Sequence, residues 1–444
     1  MRCFLVASLS LVCLHAQPAV TARPFQLSEL RTQPGFEVSV YARIPAGPRF
    51  MAFGPNGVLY VAARDNGTIV AVPAPDTTVV AVRGLNQPNS LVFSGNDLYI
   101  GAVDAVLRFR DAATPDLVIR SQAERLATLP TAGGGHISRT LEIGADGRMY
   151  VAIGSTCNFC LENDTRRAAV TRYEADGTGQ TLFARGLRNS VGLAWHPVTG
   201  ELWGTENGGD GLGDDIPADE INIIRSGNDY GWPDCYGQRI PVAWGSGARP
   251  GRCPGTVPPA LELQAHSAPL GLSFYTGEGF PEQFRNDAFV AFHGSWNRNQ
   301  PTGYKVVRVR AAGGRPTAYE DFLWGFLAAD SRTWSGRPVH PLPGPDGALY
   351  ISDDATGNIY RIAYTGPRIS AGGVVPRGDR TYEIYGANFT GDIAVFASAA
   401  SAEILYLSPS QINVRLPEDA AAIGTLTVRN EKAEDSAPIP PSSQ

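Results

Sequence analysis

Ile143-Gly-Ala-Asp-Gly-Arg-Met-Tyr-Val-Ala152 is the stretch of this sequence that decides the fold. An apolar residue precedes a turn containing Asp-Gly, and an alternating Met-Tyr-Val strand follows, which is the pattern of a β-hairpin. The same pattern occurs five more times, once in a degenerate form at 284–292. The other four copies lie at 53–62, 93–101, 195–204 and 344–352.

The six copies recur at roughly the 40-to-60-residue spacing of propeller blades, which predicts a β-propeller with six blades. Glycine (50 residues) and proline (34) are plentiful and only 18% of the residues are charged. That composition favours many short strands over helical bundles. An array of β-sandwiches is the alternative. In a propeller the loops gather on one face around a central channel, and we expect the chemistry there.

The predicted fold is all-β and has two units. Residues 23–364 form the six-bladed β-propeller, because the repeat stops at Tyr364. Residues 365–430 contain four strand-like stretches that suit a small immunoglobulin-like β-sandwich. The remainder, 431–444, is rich in proline and serine and is predicted to be a disordered tail.

The first 22 residues have the features of an export signal peptide. Arg2 precedes an apolar stretch over 4–14 that is too short to span a membrane, and Val20-Thr21-Ala22 offers a cleavage site. A buried N-terminal helix is the alternative. We therefore expect a periplasmic or secreted protein without a membrane span. The net charge of −6 and the lack of a Lys/Arg block argue against a nucleic-acid partner.

Four cysteines remain after the first 22 residues, and an even number in an exported protein indicates two disulfides. We expect local pairing, Cys157 with Cys160 and Cys235 with Cys253, among three possible connectivities. A zinc site at Cys157 and Cys160 is the rival interpretation.

Two positions are candidates for catalysis. His136 follows Gly133-Gly-Gly135 and precedes a strand, and histidine is the usual general base near neutral pH. Arg188 and its neighbour Asn189 precede the fourth copy of the repeat, and arginine suits both carboxylate binding and stacking on a planar ring. The alternatives are an ordinary loop histidine and a surface cation.

The segment 206–219 combines five carboxylates with four glycines, among them Gly208 and Gly209. Oxygen-rich flexible loops of this kind bind Ca²⁺, although the spacing differs from that of an EF-hand. A solvated acidic loop is the alternative. Lys305 and Arg337 lie near blade boundaries, where they could join Arg188 in a cationic ring that binds a polyanionic small molecule. Taken singly, each could equally be a surface residue.

The propeller sequence resembles the glucose/sorbosone dehydrogenase family of quinoproteins, which use pyrroloquinoline quinone (PQQ), and it is nearer to the sorbosone-type branch. The resemblance covers roughly residues 34 to 364. The stretches that carry it are Gly135-His136, Arg139-Thr-Leu, Asp146-Gly-Arg-Met-Tyr-Val151, Gly154-Ser-Thr-Cys-Asn158, Gly186-Leu-Arg-Asn-Ser-Val-Gly-Leu193, Glu206-Asn-Gly, Asp219-Glu-Ile-Asn222, Gly227-Asn-Asp-Tyr-Gly-Trp-Pro233, His266-Ser-Ala-Pro-Leu-Gly-Leu272 and Gly344-Pro-Asp-Gly347.

The resemblance implies PQQ and Ca²⁺ as cofactors, a sugar substrate and an external electron acceptor. By the same resemblance His136 would take the proton of a sugar hydroxyl, while Arg188 and Asn189 would hold and polarise the quinone. Lys305 and Arg337 would pair with the PQQ carboxylates, and main-chain carbonyls of the 208–209 loop would bind Ca²⁺. A planar tricarboxylate needs such a set of cations.

Departures from the family pattern leave the substrate open. Glucose-type members have an acidic residue where this chain has Gly135, and Pro-Gln where it has Ser190-Val191. Two rival functions therefore stay open. One is a non-catalytic propeller that binds a glycan or protein, and the other is a hydrolase that uses Ca²⁺ and His136. The 365–430 unit resembles a β-domain appended to many exported bacterial proteins.

Overall fold

The computed structural model describes residues 20–245, 247–418, 420 and 424–440. Most of the predicted signal peptide lies outside these residues. Its last two positions, Thr21–Ala22, form a short parallel pair with Thr333–Trp334. Three short 3-10 helices, Leu27–Glu29, Pro250–Gly255 and Glu282–Phe284, are the helical elements of the described residues.

Six antiparallel sheets of four or five strands lie between residues 31 and 364, and we number them as blades in chain order. Blade 1 consists of Pro48–Phe53, Leu59–Ala63, Thr68–Ala74 and Thr77–Val82. Blade 2 consists of Ser90–Ser94, Asp97–Ala102, Ala105–Phe109 and Glu124–Thr128. Blade 3 consists of Arg139–Ile143, Met149–Ile153, Ala169–Tyr173 and Thr181–Arg185.

The other three blades follow the same order. Blade 4 consists of Leu193–Trp195, Leu202–Glu206, Asp219–Ile224 and Leu261–Leu263. Blade 5 consists of Pro269–Phe274, Ala288–Phe292, Lys305–Ala312 and Arg315–Trp324, with Arg31–Thr32 added at its outer edge. Blade 6 consists of Pro338–Pro343, Leu349–Asp353, Asn358–Tyr364 and the N-terminal strand Phe36–Arg43.

The blades form a closed ring, because the first strand of each blade contacts the first strand of the next and that of blade 6 contacts blade 1. The six-bladed propeller predicted from the repeat is therefore the observed architecture. Each copy of the repeat supplies the first hairpin of a blade. Its Leu-Tyr-Val strand is the buried second strand, as in Leu59–Ala63 and Leu349–Asp353.

The ring closes through the N-terminal strand, which pairs with Asn358–Tyr364 from the other end of the propeller. Phe36 begins that strand, and its ring lies 4.7 to 5.2 Å from the rings of Phe280, Phe284, Phe322 and Tyr364. Aromatic pairs at these distances contribute about 0.5–1.5 kcal/mol each beyond area burial. The closure is thus held by packing as well as by strand pairing.

Successive strands of a blade run in opposite directions, so two kinds of loop reach the same face of the ring. One kind leads into the first strand of a blade, and the other joins its second and third strands. We call this face the loop face. The hairpins of the sequence repeat, which join first and second strands, lie on the opposite face.

Blade 4 carries an insertion, 225–260, between its third and fourth strands, so the interval from the fourth to the fifth copy of the repeat is the longest. The insertion runs beside blade 3, where Tyr230 donates its backbone N–H to Arg185 and Trp232 donates to Gly186. It contains the small hairpin Cys235–Tyr236 with Ile240–Pro241.

The C-terminal unit is a β-sandwich of two four-stranded sheets that share one hydrophobic core. One sheet consists of Arg368–Gly378, Thr381–Ala387, Gln411–Arg415 and Glu403–Ser408, and the other of Ala400–Ser401, Ala394–Ala397, Thr425–Arg429 and Glu434–Pro438. The β-sandwich is as expected, and its assignment to the immunoglobulin-like class stays a prediction.

The predicted disordered tail from 431 is wrong for residues 434–438, which form the edge strand beside Thr425–Arg429. Ala437 and Ile439 pack into the sandwich core, and that burial stabilises a segment whose composition alone indicated disorder. Residues 441–444 lie outside the described part of the chain. Within the described residues, no helix is long and apolar enough to cross a membrane.

Candidate active site

His136 lies on the loop face, in the segment that leads into the first strand of blade 3. Gly133, Gly134 and Gly135 all adopt positive φ (87°, 68° and 75°), which only glycine adopts freely. A Cβ atom on Gly135 would also overlap the backbone of Ser155 and Thr156. The glycine run therefore brings the histidine against the loop between the second and third strands of blade 3.

Ser155 fixes the tautomer of the neutral His136 ring. The Nδ1 atom lies 3.0 Å from the Ser155 carbonyl oxygen and 3.1 Å from its Oγ, and that Oγ donates its own proton to the Cys157 carbonyl at 2.6 Å. Both Ser155 atoms therefore accept from Nδ1–H, and Nε2 carries the free lone pair.

Burial and the charge of Arg188 lower the pKa of His136 to about 4. The imidazole is therefore neutral at pH 7, as a general base requires.

Arg188 precedes the first strand of blade 4 and is only 6% exposed. Its Nε and one terminal nitrogen donate to the main-chain and side-chain oxygens of Asn158, at 3.3 and 3.1 Å. The same terminal nitrogen binds Asp210 Oδ2 at 2.7 Å, and the other donates to the Asn207 carbonyl at 3.3 Å. A planar guanidinium held on several sides has one defined orientation.

Asn189 lies close to His136. A Cβ atom placed on Gly154 would lie 2.5 Å from Asn189 Oδ1 and 2.6 Å from His136 Cβ, so these two side chains meet across that glycine. The backbone N–H of Asn189 donates to Glu206 Oε1 at 2.6 Å, and Ser190 Oγ donates to Glu206 Oε2. Burial raises the pKa of Glu206 to about 8.

Gly208 and Gly209 lie in the loop between the second and third strands of blade 4. The Gly208 N–H donates to Asp219 Oδ1 at 2.9 Å, and a Cβ atom on Gly209 would overlap the ring of Phe159. The loop is also held by His266, whose Nε2 lies 2.9 Å from the Gly213 carbonyl.

Around 207–218 the described residues contain no group of three His, Cys or carboxylate ligands close enough to share a metal ion. A cation at this loop would therefore depend on main-chain carbonyls, which are ordinary ligands of Ca²⁺. The oxygen chemistry of the loop fits such an ion.

Arg337 lies in a second cluster on the loop face. It donates to the carbonyls of His293 (3.1 Å) and Gly294 (3.0 Å) and lies over the rings of Tyr304 and Trp334. The structure therefore brings Arg337 to the same face as Arg188, but two blades further around the ring, where the chain enters blade 6.

Residues that sequence reasoning missed complete this second cluster. Asp354 accepts from His293 Nε2 at 2.8 Å and from Arg49 at 2.8 Å. Arg49 also reaches Ser138 Oγ at 3.5 Å, two residues from His136, and so connects the two clusters. The sequence does contain a signal for some of them, because His293 and Asp354 directly follow the second strand of the repeat, as Asn207 does.

Lys305 is not part of either cluster. It begins the third strand of blade 5, and its Nζ binds Asp321 on the fourth strand of that blade at 2.6 Å. The expectation that Lys305 joins Arg188 and Arg337 in one ring around the channel is therefore not supported by the structure. Its side chain points toward the fourth strand, where its ammonium group pairs with the Asp321 carboxylate.

Both disulfides pair locally, Cys157 with Cys160 and Cys235 with Cys253, as expected from the sequence. The zinc alternative is wrong for Cys157 and Cys160, because neither sulfur is a thiolate. The first disulfide closes the loop that presents Asn158 to Arg188. The second closes the insertion whose Trp232 donates its indole N–H to the Asn158 carbonyl at 2.9 Å.

A cleft of about 780 Å³ adjoins the His136 cluster on its outer side. Trp232 and Arg167 line it, and Arg167 also donates to the His136 carbonyl at 3.3 Å. Its lining comes from blade 3 and from the 225–260 insertion and does not include His136.

Positive charge exceeds negative charge around His136. Arg139 and Arg167 donate to backbone carbonyls, and neither forms a salt bridge within the described residues. Burial and the charge of Arg167 lower the pKa of Arg139 to about 10, and both side chains keep a buried Nε without a partner. These buried guanidinium groups add positive charge beside His136, which favours a nearby anion such as a carboxylate.

Comparison with known proteins gives one consistent result. A family model described as TrAA12-like matches residues 30–365, which is the propeller without the C-terminal sandwich. An uncharacterized protein of Borreliella burgdorferi is 30% identical over 350 residues, covering 76% of this chain and 91% of that protein. A pyrroloquinoline quinone-dependent sugar dehydrogenase of Hypocrea jecorina is 25% identical over 396 residues, covering 73% and 87%.

Among solved structures, the calcium structure of the Trichoderma reesei enzyme of carbohydrate-active family AA12 superimposes with a TM-score of 0.66. The alignment covers 79% of this chain and 98% of that one at 22% identity, which supports the fold. The resemblance to PQQ-dependent sugar dehydrogenases that the sequence motifs indicated is confirmed by these matches. The sorbosone-type branch stays a prediction.

Proposed function

Since this chain belongs to the TrAA12-like family, we propose that it is a PQQ- and Ca²⁺-dependent dehydrogenase that oxidises a sugar or a sugar-derived aldehyde or alcohol. The observation that carries the proposal is His136, a neutral imidazole with a free Nε2 lone pair and with the charges of Arg188, Arg167 and Arg139 close by. The Hypocrea jecorina relative, named for PQQ and sugar, supports it.

His136 is the proposed general base. Its Nδ1–H is committed to Ser155, so Nε2 is the atom that would accept the proton of the sugar hydroxyl. The low pKa keeps this atom unprotonated over the neutral range. When bound, PQQ supplies a two-electron acceptor for the hydride of the same sugar carbon.

Three residues are proposed to hold PQQ. Arg188 presents a rigid guanidinium to the quinone, and Asn189 lies beside His136. Arg337 offers its charge from the entry to blade 6. Main-chain oxygens of Gly208 and Gly209 are the proposed Ca²⁺ ligands, and the calcium structure of the Trichoderma reesei protein is consistent with this ion.

Electrons would leave to an external acceptor, because two-electron reduction of a bound quinone must be reversed before the next turnover. We also propose that the protein is exported to the periplasm or secreted. The N-terminal sequence and the two disulfides support that location. The non-catalytic and hydrolase alternatives gain no support from relatives that are named dehydrogenases.

The test is an absorbance titration of the metal-stripped protein with PQQ, with and without Ca²⁺, followed by addition of aldoses. We expect stoichiometric, Ca²⁺-dependent binding and reduction of the bound quinone by sugar. His136→Ala should abolish reduction while sparing binding, and Lys305→Met is the matched cation control that should change neither. No binding of PQQ at micromolar concentration would eliminate the proposed enzyme.

A further inference from the structure

Trp296 is the most exposed large apolar side chain on the described surface, at 73% of its area. It lies on the loop face, in the loop between the second and third strands of blade 5. Its indole has no hydrogen-bond, ring or cation partner among the residues that the structure describes. Covering apolar surface is favourable by roughly 25 cal/mol per Å², so a ligand that covered the indole would gain free energy from the contact.

The backbone on both sides of Trp296 is firmly held. Ser295 is 1% exposed, and its N–H and Oγ exchange hydrogen bonds with Thr302 at 2.9 Å. On the other side, Arg298 donates to the carbonyls of Asp214 and Ala265. The indole is therefore presented by a rigid loop, and a ligand that stacks on it would not have to order that loop.

Trp296 is also connected to the candidate active site. Asn297 Nδ2 donates to Asp210 Oδ1 at 2.7 Å, and Asp210 Oδ2 binds Arg188 at 2.7 Å. Two side chains thus separate the indole from Arg188, so Trp296 borders the site without belonging to it. Ile216, 45% exposed on the facing loop, adds a second apolar side chain to this rim.

We propose that Trp296 is the stacking platform for the second sugar unit of a di- or oligosaccharide whose reducing end is oxidised at His136. A pyranose ring has an apolar face of C–H groups and a rim of hydroxyls, which suits a flat aromatic ring beside polar side chains. A sugar at His136 that extends past Asp210 and Asn297 would meet the indole with its next unit. This inference rests on the proposed dehydrogenase function.

The first experiment compares glucose with its α-1,4- and β-1,4-linked di- and trisaccharides in the PQQ- and Ca²⁺-loaded enzyme. We expect Trp296→Ala to raise the KM for at least one oligosaccharide series about tenfold or more, with less than a twofold change for glucose and an unchanged kcat. Trp296→Phe should restore most of the affinity. Val198→Ala is the control, because Val198 is 70% exposed on the opposite face.

Equal changes of KM for glucose and for the oligosaccharides would overturn the proposal, as would no change in Trp296→Ala. The proposal would also be overturned if Trp296→Ala slowed the reoxidation of the reduced cofactor by an added protein acceptor and left the KM for sugars unaltered. Trp296 would then be assigned to binding of the electron acceptor.

The second experiment separates this proposal from the dehydrogenase function. Calorimetry with the same trisaccharides is done on PQQ-free wild-type protein and on PQQ-free Trp296→Ala. Weaker binding by the variant supports the platform even if no sugar reduces PQQ. Undiminished binding by the variant, in a protein whose loaded form does oxidise sugars, refutes the platform and leaves the dehydrogenase intact.

Discussion

Asp210 holds Arg188 in place: its Oδ2 lies 2.7 Å from a terminal guanidinium nitrogen, and its Oδ1 accepts from Asn297. The Asp210 carboxylate therefore links the loops of blades 4 and 5 to Arg188. Arg188 in turn contacts the blade 3 loop through Asn158. Because Arg188 is buried, the orientation of its guanidinium depends on this contact.

Asp210→Asn should weaken PQQ binding about 10- to 100-fold. The substitution keeps the shape but removes a charge-assisted hydrogen bond of about 1.5–3 kcal/mol, where 1.4 kcal/mol corresponds to tenfold. The measurement is the PQQ dissociation constant in the presence of Ca²⁺. Asp321→Asn, which removes the partner of Lys305, is the control and should have no effect. An unchanged affinity in Asp210→Asn would show that the ion pair does not position Arg188.

The rate of quinone reduction should be independent of pH from about 8 down to 5 and should fall as the pH approaches 4. His136 acts as a base only when unprotonated, and burial with the Arg188 charge lowers its pKa to about 4 from an ordinary 6.5. Stopped-flow measurement of the reduction rate constant against pH tests this. An inflection near 6.5 would contradict it.

Glu206→Gln should gain stability relative to the wild type as the pH rises from 5 to 8. Burial raises the pKa of Glu206 to about 8, so in this range the unfolded state is ionised while the folded state stays neutral, and the wild type loses stability. The amide does not titrate and has no such loss. The difference in Tm between variant and wild type is measured at each pH, with exposed Glu174→Gln as control. A constant difference would refute the raised pKa.

The two disulfides should have different effects when replaced by serine pairs. Cys235–Cys253 closes 18 residues, so its loss should lower the free energy of unfolding by about 3 kcal/mol. Cys157–Cys160 closes only 3 residues but presents Asn158 to Arg188, so its loss should weaken PQQ binding more than it lowers Tm. Calorimetric Tm and PQQ affinity are measured on both variants, and the reverse order of effects would contradict the assignment.

Phe36→Ala should destabilise the propeller by about 3–5 kcal/mol, because it leaves a cavity among four aromatic rings at the strand that closes the ring. Denaturant unfolding of the propeller transition measures the loss. Phe25, which lies only partly buried against the same cluster, is the matched position, and Phe25→Ala should cost less. Equal losses would show that the closure is not specially dependent on Phe36.

The blade repeat could be identified from sequence because a hairpin is a local structure. Turn residues such as Asp146-Gly147 and the alternating strand after them act over about ten residues, so each copy indicates its own two strands. The number of copies then indicated six blades. The N-terminal strand that completes blade 6 was missed, because Phe36–Arg43 pairs with a strand more than 300 residues away.

The candidate site could be located from sequence only in part. His136 and Arg188 carry local signals, a glycine run and an Arg-Asn pair before a strand, whereas Arg49, His293 and Asp354 become a cluster only when the ring closes. Lys305 shows the opposite case, a cation near a blade boundary whose partner across the sheet is Asp321.

The sequence by itself determined the strand pattern, the number of blades, the local disulfide pairs and the family, because each of these depends on short-range order or on motif identity. The tertiary structure alone decided which charges face one another and which aromatic side chain remains exposed at the rim. It also decided the contact of Ser155 with Nδ1 of His136, which leaves the Nε2 lone pair free. Those features depend on distances between loops of different blades, and such distances are set by closure of the ring and not by any one segment of the chain.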